Sequence, residues 1–320
     1  MPTGGCRVAA CIWGVLRKQA EELRAREPLL APLVESAILS HETYCDALLS
    51  SLAAKLGGGV LPAPWFLAVF REALTLGGHG FVQATLEDLL AVEQRDPATS
   101  SVAQVLLYYK GYKALASYRL SHALWTAGRA DLALAIQARV TEVFGLDIHP
   151  GAVLGGGLMI DHGTGVVIGE TAVVGRNCTF LHGVTLGGTG TSTDFDRHPK
   201  IGDHVFLGCG VTVLGNIRVG HHCKVGAGSL VLKPLPDGAT AVGSPATIKA
   251  LDQRFAAADV PLPPPPPPSD SLAGLDVASE PVVGPTEPGR DGGGSEVVDT
   301  WTGRWVPKMW HCAEPAAAAA

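Results

Sequence analysis

An aliphatic residue at every sixth position runs through the centre of this chain and limits its fold more than any other feature. Ile201, Leu207, Val213, Val219, Val225 and Val231 keep that spacing without a gap. Four residues after the first five stand Val205, Val211, Ile217, Cys223 and Ser229, and Gly202, Gly208, Gly220 and Gly226 follow four of the aliphatics. An earlier block has the same grammar at Ile168, Val174, Phe180 and Leu186, with Ala172, Cys178 and Val184 in the fifth place; a third begins at Ile148, Leu154 and Ile160. A fixed short period marks a solenoid. Six residues suit a parallel β-helix, in which each hexad is one short flat strand plus a corner. The aliphatic points inward, and glycine takes backbone that other residues adopt only with strain. Neither a helix nor a simple strand repeats at six.

The 320 residues leave room for two domains and a tail. Residues 1–12 are expected to be a flexible N-terminus. Residues 13–146 read as a helical domain, with apolar residues three and four apart at Leu23, Leu29, Leu30, Leu33, Val34, Ala37 and Ile38 and again at Val105, Tyr109, Tyr112, Ala116, Leu120, Ala123 and Leu124. Pro62 and Pro64 mark one break, Gly77, Gly78 and Gly80 another, and Gly128 a helix stop before a last helix at 131–144. This bundle would cap the N-terminal end of the solenoid, whose first strands otherwise leave unpaired edges. The β-helix occupies 147–251, with a loop at 187–200. Residues 252–320 change composition: a proline run over 263–268, then Gly, Ser, Asp and Glu, and five terminal alanines. Such a tail buries too little to fold alone, and Trp301, Trp305 and Trp310 stand in it as a potential docking motif.

A net charge of -6 without a basic cluster argues against nucleic-acid binding. Seven cysteines, odd in number and without paired metal-ligand spacing, fit a reduced compartment and no metal site. No apolar run reaches membrane-spanning length. A cytoplasmic protein is expected, with organelle targeting left open because the first acidic residue is Glu21.

The period breaks twice, and polar residues collect at both breaks. The step from Ile160 to Ile168 is two residues too long and holds Asp161 and His162 in "DHGTG". The step from Leu186 to Ile201 reads as two hexads plus three residues and holds Asp194, Asp196, Arg197 and His198 in "GGTGTSTDFDRHPK". Insertions in repeat proteins map to the functional face. Histidine beside aspartate moves protons near neutral pH. Asp147 lies about one coil before His162, where its carboxylate could fix the imidazole tautomer. Arg197 offers a planar fork that matches a carboxylate. Asp96, before Pro97, reads locally as no more than a turn or cap. His149, His182, His204, His221 and His222 show no metal-type spacing. Gly187, Gly188 and Gly190 lack the Walker lysine-serine pair.

Several of these segments resemble serine acetyltransferase. They are "DIHPGAVLG" from Asp147, "DHGTGVVIGETAVVG" from Asp161, "VTLGGTG" from Val184, "DRHPKIG" from Asp196, "RDPA" from Arg95 and "LLYYKGYKALASYRLSHALW" from Leu106. The hexads alone define only the hexapeptide-repeat acyltransferase superfamily; RDPA, DHGTG and DRHPK together are more specific. The resemblance implies a left-handed β-helix behind an all-helical domain. It implies acetyl transfer from acetyl-CoA to the hydroxyl of L-serine, giving O-acetylserine and CoA, the step that commits serine to cysteine synthesis.

By the same resemblance His162 is the general base and Asp147 orients it. Asp96 and Asp161 hold the substrate ammonium; Arg197 and His198 hold its carboxylate, with His198 counted in the catalytic set. Coenzyme A meets Gly188, Cys209, Lys224 and Ala227 in a groove between adjacent β-helices. That groove implies a homotrimer, with the helical domains pairing two trimers, and inhibition by cysteine is a common family property. The chain departs from the family pattern at Thr191, where lysine is usual, at Cys209, where alanine is usual, and by one extra residue before "DRHPK". The family's terminal isoleucine, which enters cysteine synthase, is replaced by Ala320, so that partnership does not follow from the resemblance. Read from the residues alone, three alternatives stay open: another hexapeptide acyltransferase acting on a sugar or other small acceptor, a zinc enzyme on the same solenoid, and a non-catalytic scaffold.

Overall fold

The structure, a computed structural model, describes residues 4–192 and 194–255. The tail expected at 252–320, with its proline run and three tryptophans, lies outside the described residues from 256 onward. Helices fill the first part of the chain: α1 (Gly4–Arg26), α2 (Ala31–Val34), α3 (Tyr44–Leu56), α4 (Ala63–Arg95), α5 (Val102–Tyr108), α6 (Lys110–Thr126) and α7 (Ala130–Phe144). Thr43 and Ser101 cap α3 and α5, their hydroxyls accepting from the Asp46 and Gln104 amides. α1 reaches back to Gly4, ahead of the expected start at residue 13.

The break expected at Gly77, Gly78 and Gly80 does not occur, and α4 runs straight through. Each glycine costs about 1 kcal/mol of helix propensity. Phe66, Phe70, Ala73, Phe81, Leu86 and Leu89 on either side are buried in the core, where α4 packs against α6; tertiary burial outweighs that penalty. Conversely, the apolar pattern that runs from Val105 to Leu124 is interrupted at Tyr109, whose extended backbone (φ -82, ψ 107) ends α5 and starts α6.

From Leu146 the chain coils into three parallel sheets. The first holds β1 (Leu146–Ile148), β4 (Val166–Ile168), β7 (Thr185–Gly187), β10 (Thr212–Leu214) and β13 (Leu230–Val231). The second holds β2 (Val153–Leu154), β5 (Val173–Val174), β8 (Lys200–Ile201) and β11 (Arg218–Val219). The third holds β3 (Met159–Ile160), β6 (Thr179–Phe180), β9 (Phe206–Leu207), β12 (Lys224–Val225), β14 (Ala239–Val242) and an antiparallel last strand, β15 (Thr247–Leu251). The expected hexad aliphatics line the interior: Ile168, Val174, Phe180, Leu186, Ile201, Leu207, Val213, Val219, Val225 and Val231 are all at most 2% exposed.

Register measures the interruptions. An uninterrupted coil pairs residues 18 apart, as Leu207 with Val225. The first pair is 20 apart, Ile148 with Ile168, which is the two-residue excess expected. The second interruption is larger than the sequence reading allowed. Val174 pairs with Ile201, 27 residues on. Leu186 and Ile201 therefore lie on neighbouring strands of one coil, β7 and β8, and no hexad lies between them. The reading of two hexads plus three residues is corrected: the whole stretch leaves the solenoid, because nothing in it supplies an inward aliphatic at the right phase.

The helical domain closes the open end of the solenoid with side chains. Arg119 donates to the Leu154 and Gly155 carbonyls, Tyr118 to Ala152 and Thr141 to Leu146. Asp88 accepts from the Leu158 amide at 2.8 Å. These groups have no preceding coil to pair with, and buried backbone left unpaired is costly.

Candidate functional site

Stacked register turns one corner of the prism into a column. Ile160, Phe180, Leu207, Val225 and Ala241 pair in succession. The residues two further on, His162, His182, Cys209, Ala227 and Gly243, therefore stand one above another. Backbone bonds from Gly210 N to His182 O at 2.9 Å and from Gly228 N to Cys209 O at 2.8 Å tie the rungs together. His162 sits in left-handed backbone, φ 54, which throws its ring outward. Its side chain is 71% exposed, with Asp161 Oδ2 at 3.6 Å, and it meets the His182 ring edge to face at 5.8 Å.

Asp96 caps the end of α4, and its Oδ1 accepts from the Ala98 amide at 2.8 Å, the local turn that its sequence neighbours suggest. The Tyr109 hydroxyl accepts from Thr99 Oγ1 at 2.9 Å. Burial raises that phenol's pKa, and the charges of Asp96 and then Asp161 push it further up. Tyr109 thus lies within electrostatic reach of both carboxylates. Sequence reasoning counted it only as helix periodicity; the signal missed was the backbone break that aims it.

A second group gathers at the opposite edge of the first sheet, where the extruded loop returns. His198 is 7% exposed, and its Nδ1 lies 3.1 Å from the Thr171 amide and 2.9 Å from its hydroxyl. An amide donates, so Nδ1 accepts and the ring proton sits on Nε2. Burial, with the charges of Arg197 and Lys200, lowers the His198 pKa to about 4. His198 is a neutral donor at physiological pH, not a cation. Arg197 Nη2 reaches Glu170 Oε2 at 3.3 Å. Glu170 and Thr171 stand 27 residues before Arg197 and His198, the offset of the Val174 and Ile201 pair. Sequence reasoning missed both, because the length of the excursion hides that register. Gly169 has to be glycine here: a Cβ would fall 2.1 Å from the His198 ring.

The folded state keeps His198 neutral while an unfolded chain protonates it near 6.5. Its folded pKa is lowered, so its contribution to stability is present above about 6.5 and is lost as pH falls towards about 4. Thermal unfolding followed across that window is expected to show a smaller acid loss in His198→Asn than in the wild type.

The remaining candidates fall around these two groups. Asp147 lies on β1, where Gln137 Nε2 donates to its Oδ1 at 2.6 Å; among the described residues no hydrogen bond joins it to His162. Gly188 lies against the Arg197 stem. Lys224 is exposed on β12. His204 and His222 stack at 4.8 Å on a different corner. The structure brings Asp161 and His162 together, with Asp96 and Asp161 both near enough to Tyr109 to act on it, and it groups Arg197, His198 and Gly188, but within one chain the two groups stand at opposite edges of a sheet. Among the described residues no three His, Cys, Asp or Glu side chains gather where they could hold a metal ion. No described helix is long and apolar enough to cross a membrane.

A parallel six-residue solenoid with polar residues at its corners defines a hexapeptide-repeat transferase, and residues 198–233 match the family description "Bacterial transferase hexapeptide (six repeats)". Residues 12–117 match "Serine acetyltransferase, N-terminal". Serine acetyltransferase 2 of Arabidopsis thaliana is 47% identical over 74% of this chain and 73% of its own length; serine acetyltransferase of Escherichia coli K12 is 44% identical over 76% and 88%. The chain belongs to the serine acetyltransferase family of enzymes. Among solved structures, a serine acetyltransferase from Brucella abortus in complex with coenzyme A is 42% identical, with a TM-score of 0.73 over 75% of this chain and 95% of that one. Soybean serine acetyltransferase complexed with serine is 44% identical, with a TM-score of 0.72 over 75% and 98%.

Proposed function

We propose that the protein transfers acetyl from acetyl-CoA to the hydroxyl of L-serine, giving O-acetyl-L-serine and CoA, and so commits serine to cysteine synthesis. The observation that carries this is the corner column, in which His162 begins a line continued by Cys209 and Ala227 beside the carboxylates of Asp96 and Asp161. Relatives of known structure hold serine and coenzyme A, which supports the same pair of substrates here.

Serine is a zwitterion and needs anions at one end and donors or cations at the other. Asp96 and Asp161 take its ammonium. Arg197 takes its carboxylate as a cation, and His198 adds a neutral Nε2–H donor. His162 removes the hydroxyl proton as the oxygen attacks the thioester carbonyl. The carbon–sulfur bond then breaks, and the departing thiolate recovers the proton. Asp147 orients the imidazole, exchanging its bond from Gln137 for one from His162. Cys209, Ala227 and Gly243, beyond His182, are small, so no large side chain stands on those three rungs, where an extended pantetheine arm would lie. Gly188 and Lys224 flank that path.

Because the two groups of one chain stand at opposite edges of a sheet, the complete site takes one group from each of two copies, in a homotrimer or a dimer of trimers. Thiol release from acetyl-CoA, measured with and without L-serine, tests the reading. CoA release that depends on serine is expected. Release with a sugar acceptor and none with serine overturns it and assigns a different acceptor to the same solenoid.

A further inference from the structure

The helical domain holds a cavity, formed where α3 meets the α5–α6 junction and the helical segment that follows α2. It measures about 220 Å³, and no carboxylate lines it. Lys113 on α6 is 3% exposed, yet among the described residues its Nζ donates to a single acceptor, the Leu107 carbonyl at 2.9 Å. The hydroxyls of Ser36, Ser50 and Ser51 border the same cavity. None has a hydrogen-bond partner among the described residues. Other helical hydroxyls of this chain do bond: Thr85, Ser117, Ser121 and Thr126 each donate to a backbone carbonyl. Lys55, exposed on α3, adds a second ammonium to the lining.

Capping the C-terminal end of α5 is an ordinary use for a lysine. It accounts for one of three ammonium protons, and for neither the second lysine nor the idle hydroxyls. A buried cation without a counter-charge is expensive; burial, then the charge of Lys55, pushes the Lys113 ammonium down to about 8. An anion in the cavity would give the buried Lys113 ammonium a counter-charge and draw on the lining hydroxyls through charge-assisted bonds.

We propose that this cavity binds a small tetrahedral oxyanion of the sulfate or phosphate type, held by Lys113 and Lys55 and by the hydroxyls of Ser36, Ser50 and Ser51.

The test uses the full chain with saturating CoA, so that phosphate-binding elsewhere is blocked. Sodium sulfate and sodium phosphate are titrated separately by calorimetry at ionic strength fixed with sodium chloride. One saturable site per chain is expected for at least one of the two, and their relative affinities identify the preferred anion. Lys113→Met is expected to weaken that binding about ten- to hundredfold, the loss of one charged hydrogen-bond donor. The Ser50→Ala/Ser51→Ala double variant, which leaves the buried charge in place, is expected to weaken it severalfold. Circular dichroism checks that each variant is folded. Absence of saturable binding for both anions, or equal affinity in the wild type and in both folded variants, overturns the proposal.

Discussion

Replacing His162 with asparagine is expected to lower kcat for serine-dependent CoA release by about 10²–10⁴-fold, the usual contribution of a general base. The serine hydroxyl is too weak an acid to attack a thioester without one. Asparagine is the informative substitution because of the backbone. His162 has φ 54, a region that asparagine tolerates and alanine enters at a cost of about 1–2 kcal/mol. With 71% of the side chain exposed, little packing is lost. Circular dichroism and oligomer size should therefore be unchanged, and KM for serine should move much less than kcat. Undiminished kcat in the folded variant would remove His162 from the chemistry.

The largest effect on stability is expected from Arg119→Met, at about 3–5 kcal/mol, the range for breaking a buried ion pair by deleting one partner. Arg119 Nε and Nη2 grip the two oxygens of Asp88 at 2.8 and 2.9 Å, and the Asp88 side chain is only 1% exposed. The same guanidinium donates to the first coil, so its loss leaves a buried charge and two carbonyls unpaired together. Burial already raises the Asp88 pKa against the pull of Arg119. Without that pull the folded pKa rises further above the unfolded value. The penalty is then largest at neutral pH and shrinks on acidification, as Asp88 takes up a proton and no longer needs a cation. Denaturant unfolding of the wild type and variant at several pH values measures it; a penalty independent of pH would mean that packing, not charge, dominates.

Much of the solenoid was legible because its rule is local. An inward aliphatic every six residues can be counted, and Ile168 through Val231 occupy the interior as the count requires. His162, Asp161, Arg197 and His198 stood out because they interrupt that count. Asp96 did not; its sequence neighbours indicate a turn, and it is one. Glu170, Thr171 and Tyr109 were invisible for a different reason. Nothing about "GETA" or the second tyrosine of "LLYYKG" is unusual until the coil above, or the helix beside it, is in place. The continuity of α4 through its glycines was equally hidden, since propensity is local and the burial that overrides it is not.

Composition and period were enough to require a parallel coil with two polar excursions, because the inward positions must be apolar whatever surrounds them. Which residues those excursions bring side by side was settled by hydrogen bonding between coils. A 27-residue coil stacked on coils of 18 and 20 puts His198 on Thr171 and leaves His162 in line with His182, Cys209 and Ala227. The protonation state of His198 was settled the same way, by a backbone amide 27 residues distant aimed at Nδ1. Such contacts depend on how far a loop travels before it rejoins the stack, and that distance is an outcome of folding, not a property of any short stretch of chain.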